Sequence, residues 1–189
     1  MNRAILLDRD GTMIKDKNYL DTPEGVEWYE GVFQALKTLE EEGFRLVMIT
    51  NQSGVARGYM TEDDVEAIHS RIEEDLEEHG ITLDGVYYCP YLEGAKIDAY
   101  DRDSDLRKPS PGMILQAADD LDLDLESSFV IGDKLSDVEA GERAGCTSVL
   151  VRTGKENDSE SINEGEGVTP DMTVDTVAEA VERIVKREH

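Results

Sequence analysis

Ile5-Leu6-Leu7-Asp8-Arg9-Asp10-Gly11-Thr12 is an apolar run too short for a helix, closed by two carboxylates, a glycine and a threonine. Such a run predicts a buried strand that carries Asp8 to its carboxyl end, followed by a tight turn that places Asp10 two residues on. Two like charges that close repel, and one of them must protonate unless a cation lies between them. A hard divalent ion such as Mg2+, which takes oxygen ligands and a substrate phosphate, suits the pair. The bland alternative is two solvated loop acids with Gly11 only turning the chain, and the remaining sequence decides between the two.

Outward from this stretch, strand and helix patterns alternate. Residues 14–30 read as a loop, and Gly31 to Glu42 reads as a helix with Val32, Leu36 and Leu39 on its apolar face and Gly43 as terminator. Phe44 to Ile49 is a second strand, running into Thr50-Asn51-Gln52-Ser53-Gly54. Thr61 caps a helix whose first turn is acidic and whose buried stripe is Val65, Ile68, Ile72 and Leu76. His69 and His79 lie on it without metal-ligand spacing and read as packing or solvated residues. Val86 to Cys89 is a third strand, and Pro90 to Asp105 is a polar loop without helical period, long enough to suggest a role. Ser110 and Pro111 then open a helix, as N-cap and first helical residue. Phe129-Val130-Ile131 delivers Gly132-Asp133-Lys134, with Asp137 on the next turn. A helix over 136–144, strands over 147–151 and 172–174, and a helix from Asp175 finish the pattern, with a mobile acidic loop expected over about 153–169. This alternation predicts an α/β fold: a doubly wound parallel sheet in three layers, one domain over residues 1–189. In such sheets the site lies beyond the carboxyl ends of the strands. Asp8, Thr50 and Asp133 each stand at a predicted strand end, so three polar motifs converge on one rim, and the bland reading gives way.

Composition narrows the function classes. No apolar run approaches the ~18 residues of a membrane span, and the opening residues lead straight into a strand rather than a signal peptide. Cys89 and Cys146 stand apart, so a reducing cytoplasm is expected rather than a disulfide framework. Acids number 44 against 19 Lys plus Arg, for a net charge of −25 spread along the chain. Self-repulsion of that size is eased by screening salt, which points to a salt-rich cytoplasm, with a merely acidic mesophile protein as the alternative. It also disfavours nucleic acid, which needs a basic surface.

The converging groups are carboxylates (Asp8, Asp10, Asp133), a hydroxyl and an amide (Thr50, Asn51) and a cation (Lys108). No Ser-His or Cys-His pair and no Walker-type loop accompanies them. What remains suits phosphoryl transfer to a carboxylate nucleophile, with cations and donors stabilising the spread negative charge.

Asp8-Arg9-Asp10-Gly11-Thr12, Thr50-Asn51, Lys108 and Gly132-Asp133-x-x-x-Asp137 resemble the four ordered motifs of the haloacid dehalogenase (HAD) superfamily of phosphatases. The runs Thr50 to Gly58, Tyr88-Cys89-Pro90, Arg107 to Met113 and Val151 to Lys155 resemble its D-glycero-D-manno-heptose-1,7-bisphosphate 7-phosphatase branch and the histidinol-phosphatase relatives. The resemblance implies a Rossmann-like HAD fold and a Mg2+-dependent phosphatase. It implies Asp8 as nucleophile and Asp10 as proton donor and then base. It sets Thr50, Asn51, Ser53, Arg107, Lys108 and Lys134 on phosphate and substrate. Asp8, the Asp10 backbone carbonyl and Asp133 become the metal ligands, with Asp137 behind them. Many relatives carry a zinc loop of the form Cys-x-His … Cys-x-Cys; here those positions read Cys89, Tyr91, Ser104 and Leu106. One thiolate cannot close a tetrahedral site, so no structural zinc is expected, and the Pro90–Leu106 loop is expected to be ordered by packing, with Tyr91 and Tyr100 as candidates, or else to be mobile. No gap between motifs holds a cap domain, so an open site rimmed by residues 16–19 and the Pro90 loop is expected. The substrate expected is a small phosphorylated metabolite, a heptose bisphosphate first, met by a monomer. Histidinol phosphate, a polynucleotide 3′-phosphate and a non-catalytic phosphosugar-binding module are the alternatives.

Overall fold

The computed structural model describes residues 1–154 and 167–188. The end of the Val151 to Lys155 run and most of the expected acidic loop lie outside the described residues. The described strands are β1 (Ala4–Leu7), β2 (Arg45–Asn51), β3 (Gly85–Cys89), β4 (Phe129–Gly132), β5 (Thr147–Val151) and β6 (Met172–Val174). All pair in parallel, in the order β3-β2-β1-β4-β5-β6. The order reverses beside β1, which makes the gap between β1 and β4 the switch point where a crevice opens.

Period-two alternation in the strands builds a core on each face. Ile5, Leu7, Leu46, Met48, Phe129, Ile131, Val149 and Val151 point one way, against α1 (Val32–Glu41), α2 (Glu62–Glu78) and α5 (Val177–Glu188). Ala4, Leu6, Val47, Ile49 and Val130 point the other way, against α3 (Gly112–Leu121) and α4 (Leu135–Ala144). Each fully buried aliphatic side chain contributes about 1.5–3 kcal/mol, so neither helical layer can be peeled off cheaply.

Thr61 caps α2 as its sequence predicts: Asp64 N–H donates to Thr61 Oγ1 and Thr61 N–H donates back to Asp64. Gly145 ends α4 at φ +87. One boundary differs. Ser110 does not cap α3; its N–H closes a turn onto Arg107 O, so the helix starts after Pro111. No described helix is long and apolar enough to cross a membrane.

Candidate active site

Four chain segments reach the carboxyl rim of the sheet and enclose a cleft of about 780 Å³. The turn after β1 brings Asp8 and Asp10, the end of β2 brings Thr50, Asn51 and Ser53, the approach to α3 brings Arg107 and Lys108, and the start of α4 brings Lys134 and Asp137. Asp133 lies just beneath, 4% exposed. All the site residues read from the sequence therefore meet in one place. Asp16, Asn18, Tyr19 and Leu20 form the rim, with Asn18 and Tyr19 in left-handed backbone at φ 55 and 64. For a bulky residue such as Tyr19 that conformation is strained, and strain of this kind collects at functional sites. None of residues 90–106 lines the cleft; the loop contributes only the Arg107-Lys108 that follows it.

The electrostatic centre is Lys108. Its buried Nζ donates to Asp8 Oδ1 at 2.7 Å and to Ile49 O at 2.9 Å, and pairs with Asp137 Oδ1 at 2.6 Å. Burial alone would push this ammonium down, but Asp137 and Asp8 outweigh it and hold it above the ordinary lysine range. Asn51 uses both ends of its amide on the Lys108 backbone, at 3.0 Å each, which fixes where the lysine emerges. Burial pushes Asp8 up to about 6, with Lys108 opposing and Asp137 and Asp10 adding to the rise. Asp133 is pushed up to about 9, by burial first and then by Asp8 and Asp137. Too much negative charge is buried here for one lysine to balance.

The deficit has a place. Asp8, Asp133 and Asp137 each offer an oxygen within 4.8 Å of the others. Asp137 Oδ1 already pairs with Lys108, and its Oδ2 accepts from Lys134 N–H at 3.0 Å. Asp133 Oδ2 is buried and accepts no hydrogen bond. A buried carboxylate oxygen without a donor is costly, and a hard cation is the partner that fits an all-oxygen set. Backbone at Gly11 and Gly154 closes over that same oxygen so tightly that a Cβ on either would overlap it. Gly11 also sits at φ +85, where only glycine is unstrained. The two lids are tied together, since Thr153 Oγ1 donates to Gly11 O at 2.6 Å and Tyr29 Oη donates to Thr153 O at 2.6 Å. Tyr29 and Trp28 do not line the cleft; Trp28 Nε1 donates to Asp75.

Sequence reasoning missed three residues behind Asp10. Arg9, Gln52 and His69 are buried and joined by hydrogen bonds. An arginine between two acids reads as a solvated counter-charge, and only His69, set among the apolar stripe of α2, hinted at burial. The Pro90 loop is held by packing, as Tyr91 and Tyr100 promised: their ring centroids lie 6.1 Å apart, and the Arg102 guanidinium sits 3.7 Å above Tyr91. A third anchor was not anticipated, Glu62, which accepts from Tyr100 Oη at 2.8 Å and Tyr88 Oη at 2.9 Å. Cys89, Tyr91 and Leu106, three of the zinc-loop positions, pack in one hydrophobic cluster.

Comparison with known proteins agrees with this geometry. A HAD-hydrolase-like family model matches residues 105–180, which carry Lys108, Asp133 and Asp137. The D-glycero-beta-D-manno-heptose-1,7-bisphosphate 7-phosphatase of Haemophilus influenzae is 42% identical over 188 residues, 99% of this chain and 98% of its own length. The enzyme of the same name from Escherichia coli K12 is 39% identical over 186 residues, 98% of this chain and 95% of its own. Among solved structures, the D,D-heptose 1,7-bisphosphate phosphatase from B. bronchiseptica, complexed with magnesium and phosphate, superposes with a TM-score of 0.84 at 30% identity. That match covers 98% of this chain and 99% of the other.

Proposed function

This chain belongs to the HAD-like hydrolases and is a phosphatase among them, and from that premise we propose that it removes the 7-phosphate of D-glycero-D-manno-heptose 1,7-bisphosphate through an aspartyl phosphate on Asp8, with Mg2+ as cofactor. The observation that carries the reading is Asp8 at the cleft floor, held by Lys108 at 2.7 Å beside the unpartnered Asp133 Oδ2. The names of the relatives support the heptose bisphosphate and lend nothing to histidinol phosphate or a polynucleotide end.

A phosphomonoester entering the cleft meets Lys108 and the Thr50 hydroxyl, whose oxygen accepts from Gln52 at 2.8 Å and whose proton is left to donate. An Asp8 oxygen attacks phosphorus as the bond to the sugar oxygen breaks, and Asp10 gives that oxygen its proton, releasing the alcohol. Asp10, now a carboxylate, takes a proton from water as the water oxygen attacks the phosphorus of the aspartyl phosphate. Phosphate leaves, Asp8 is again an anion and Asp10 again holds a proton. Asp8, the Asp10 backbone carbonyl and Asp133 would hold Mg2+, while Asp137, its oxygens already engaged, acts through Lys108. When bound, the ion supplies positive charge that lets the Asp8 carboxylate and the phosphate approach and that balances the equatorial oxygens.

The outer cleft supports a second phosphate. Arg57 lies over the Tyr19 ring at 5.8 Å, and both residues line the cleft together with Arg107. Burial lowers the Arg107 pKa and the charge of Arg57 lowers it further, against the pull of Cys89. Two guanidiniums converging in a chain of net charge −25 suit a dianion at the far end of the substrate. The reading has the chain acting as a monomeric single domain over residues 1–189 in a salt-rich cytoplasm, supported by a cleft complete within one chain and by the surplus of acids.

The test is kcat/KM for heptose 1,7-bisphosphate against histidinol phosphate, with and without Mg2+. The expectation is a preference of at least about a hundredfold for the bisphosphate, on the scale that unmet polar contacts impose, and no turnover without the metal. Equal rates on both, or metal-independent turnover, would overturn it.

A further inference from the structure

Arg9 is the largest fully buried side chain among the described residues, 1% exposed, although it sits in a turn between two acids. A buried guanidinium is tolerated only when its donors are met. Here each face is used. Nε donates to Asp10 Oδ2 at 2.9 Å, and Nη2 donates to Asp10 Oδ1 at 3.2 Å and to Gln52 Oε1 at 3.1 Å. Nη1 faces His69 Nε2 at 3.2 Å. A guanidinium has donors only, so His69 Nε2 must accept, which makes the imidazole neutral with its proton on Nδ1. Burial first, and the Arg9 charge second, hold His69 down at about 3, so the ring stays an acceptor through any working pH. Gln52 completes the grip by donating from Nε2 to Asp10 Oδ2 at 3.0 Å. Behind His69 the Tyr88 ring stands edge-on at 5.5 Å, with its hydroxyl on Glu62.

Both oxygens of Asp10 are thus held by a planar fork braced on α2, a helix that contributes no residue to the cleft lining. We infer that Arg9, kept in register by Gln52 and His69, is the positioning residue that aims the Asp10 carboxyl at the oxygen it protonates. The inference rests on the reading of Asp10 as proton carrier. A misplacement of about 1 Å at a reacting group can lower a rate by about a hundredfold, so a remote brace of this kind matters.

Leaving-group dependence separates aim from mere stability. An alkyl phosphate needs a proton on its departing oxygen, whereas p-nitrophenolate departs without one, and kcat/KM reports the step that forms the aspartyl phosphate. His69→Leu should lower kcat/KM for an alkyl phosphate about tenfold, a part of what general acid catalysis contributes, and for p-nitrophenyl phosphate by less than about twofold on the same scale. His69→Gln, which restores an acceptor opposite Nη1, should recover most of the loss. In an Asp10→Asn background His69→Leu should add nothing. An equal fall on both substrates, no fall, or an additive loss in that background would overturn the inference. Should His69→Leu fail to fold by thermal melt, Arg9→Lys keeps the buried charge but removes the fork, and the same selective loss is required of it. Asp10→Asn alone separates the two readings. If it does not discriminate between the substrates, Asp10 is not the proton carrier; if it discriminates and the His69 and Arg9 variants do not, only the brace fails.

Discussion

Asp133 Oδ2 lies under the backbone of Gly11 and Gly154, and that crowding makes a residue-scale prediction. Gly154→Ala would drive a methyl into the carboxylate, so Mg2+ should no longer raise the melting midpoint and turnover should fall by more than about tenfold. An unchanged Mg2+-dependent shift would contradict the assignment of Asp133. His69 supports a second one. Its folded pKa is about 3 against an ordinary 6.5. As pH falls between these values the unfolded chain binds a proton that the folded chain refuses, so stability declines; above the upper value the effect is absent. His69→Gln should therefore gain on the parent by up to about 1.4 kcal/mol per pH unit across that window. Parallel stability profiles would refute the buried neutral ring. Asp8, Asp10 and Asp133 were legible because each follows a strand end, Lys108 because it stands just before a helix start, and all four because the chemistry needs those types. Arg9 was not, since sequence position does not say which way a turn side chain points; His69 showed its place in the apolar stripe of α2 but not the arginine it meets there.

At the scale of elements, the strands were readable as apolar runs too short for helices and the helices from their apolar stripes and caps, as at Thr61 and Gly145. The start of α3 shifted by one residue because the Ser110 N–H is captured by Arg107 O, a local competition that propensity does not register. The Pro90 loop is the element whose order depended on tertiary partners. Asp101 Oδ1 accepts from Gly94 and Ala95 N–H, Ile97 N–H reaches Ala56 O, and Glu62 receives two phenols. Glu62→Ala should strip both phenols of their acceptor, lowering stability by about 1–3 kcal/mol. Hydrogen exchange should then rise over residues 90–106 while α5 stays protected. Uniform protection would mean that the aromatic packing alone holds the loop.

For the whole molecule, the strand order β3-β2-β1-β4-β5-β6 puts the ends of β1, β2 and β4 side by side, and that topology turns separate sequence motifs into one cleft. Strand-helix alternation foretold a parallel sheet; that three motifs meet follows from the order reversal beside β1. The net charge of −25 acts on the same scale. Raising KCl from low to molar concentration should raise the melting midpoint by screening self-repulsion; a flat or falling midpoint would remove the case for a salt-rich setting. The central claim is covalent, and the most direct measurement is chemical. Enzyme quenched during turnover of p-nitrophenyl phosphate, whose leaving group needs no proton, with Asp10→Asn used to slow release, should be reduced with borohydride and its peptides sequenced by mass. Homoserine at position 8 is the result expected of an aspartyl phosphate; an unmodified Asp8, or reduction at any other carboxylate, would contradict the account.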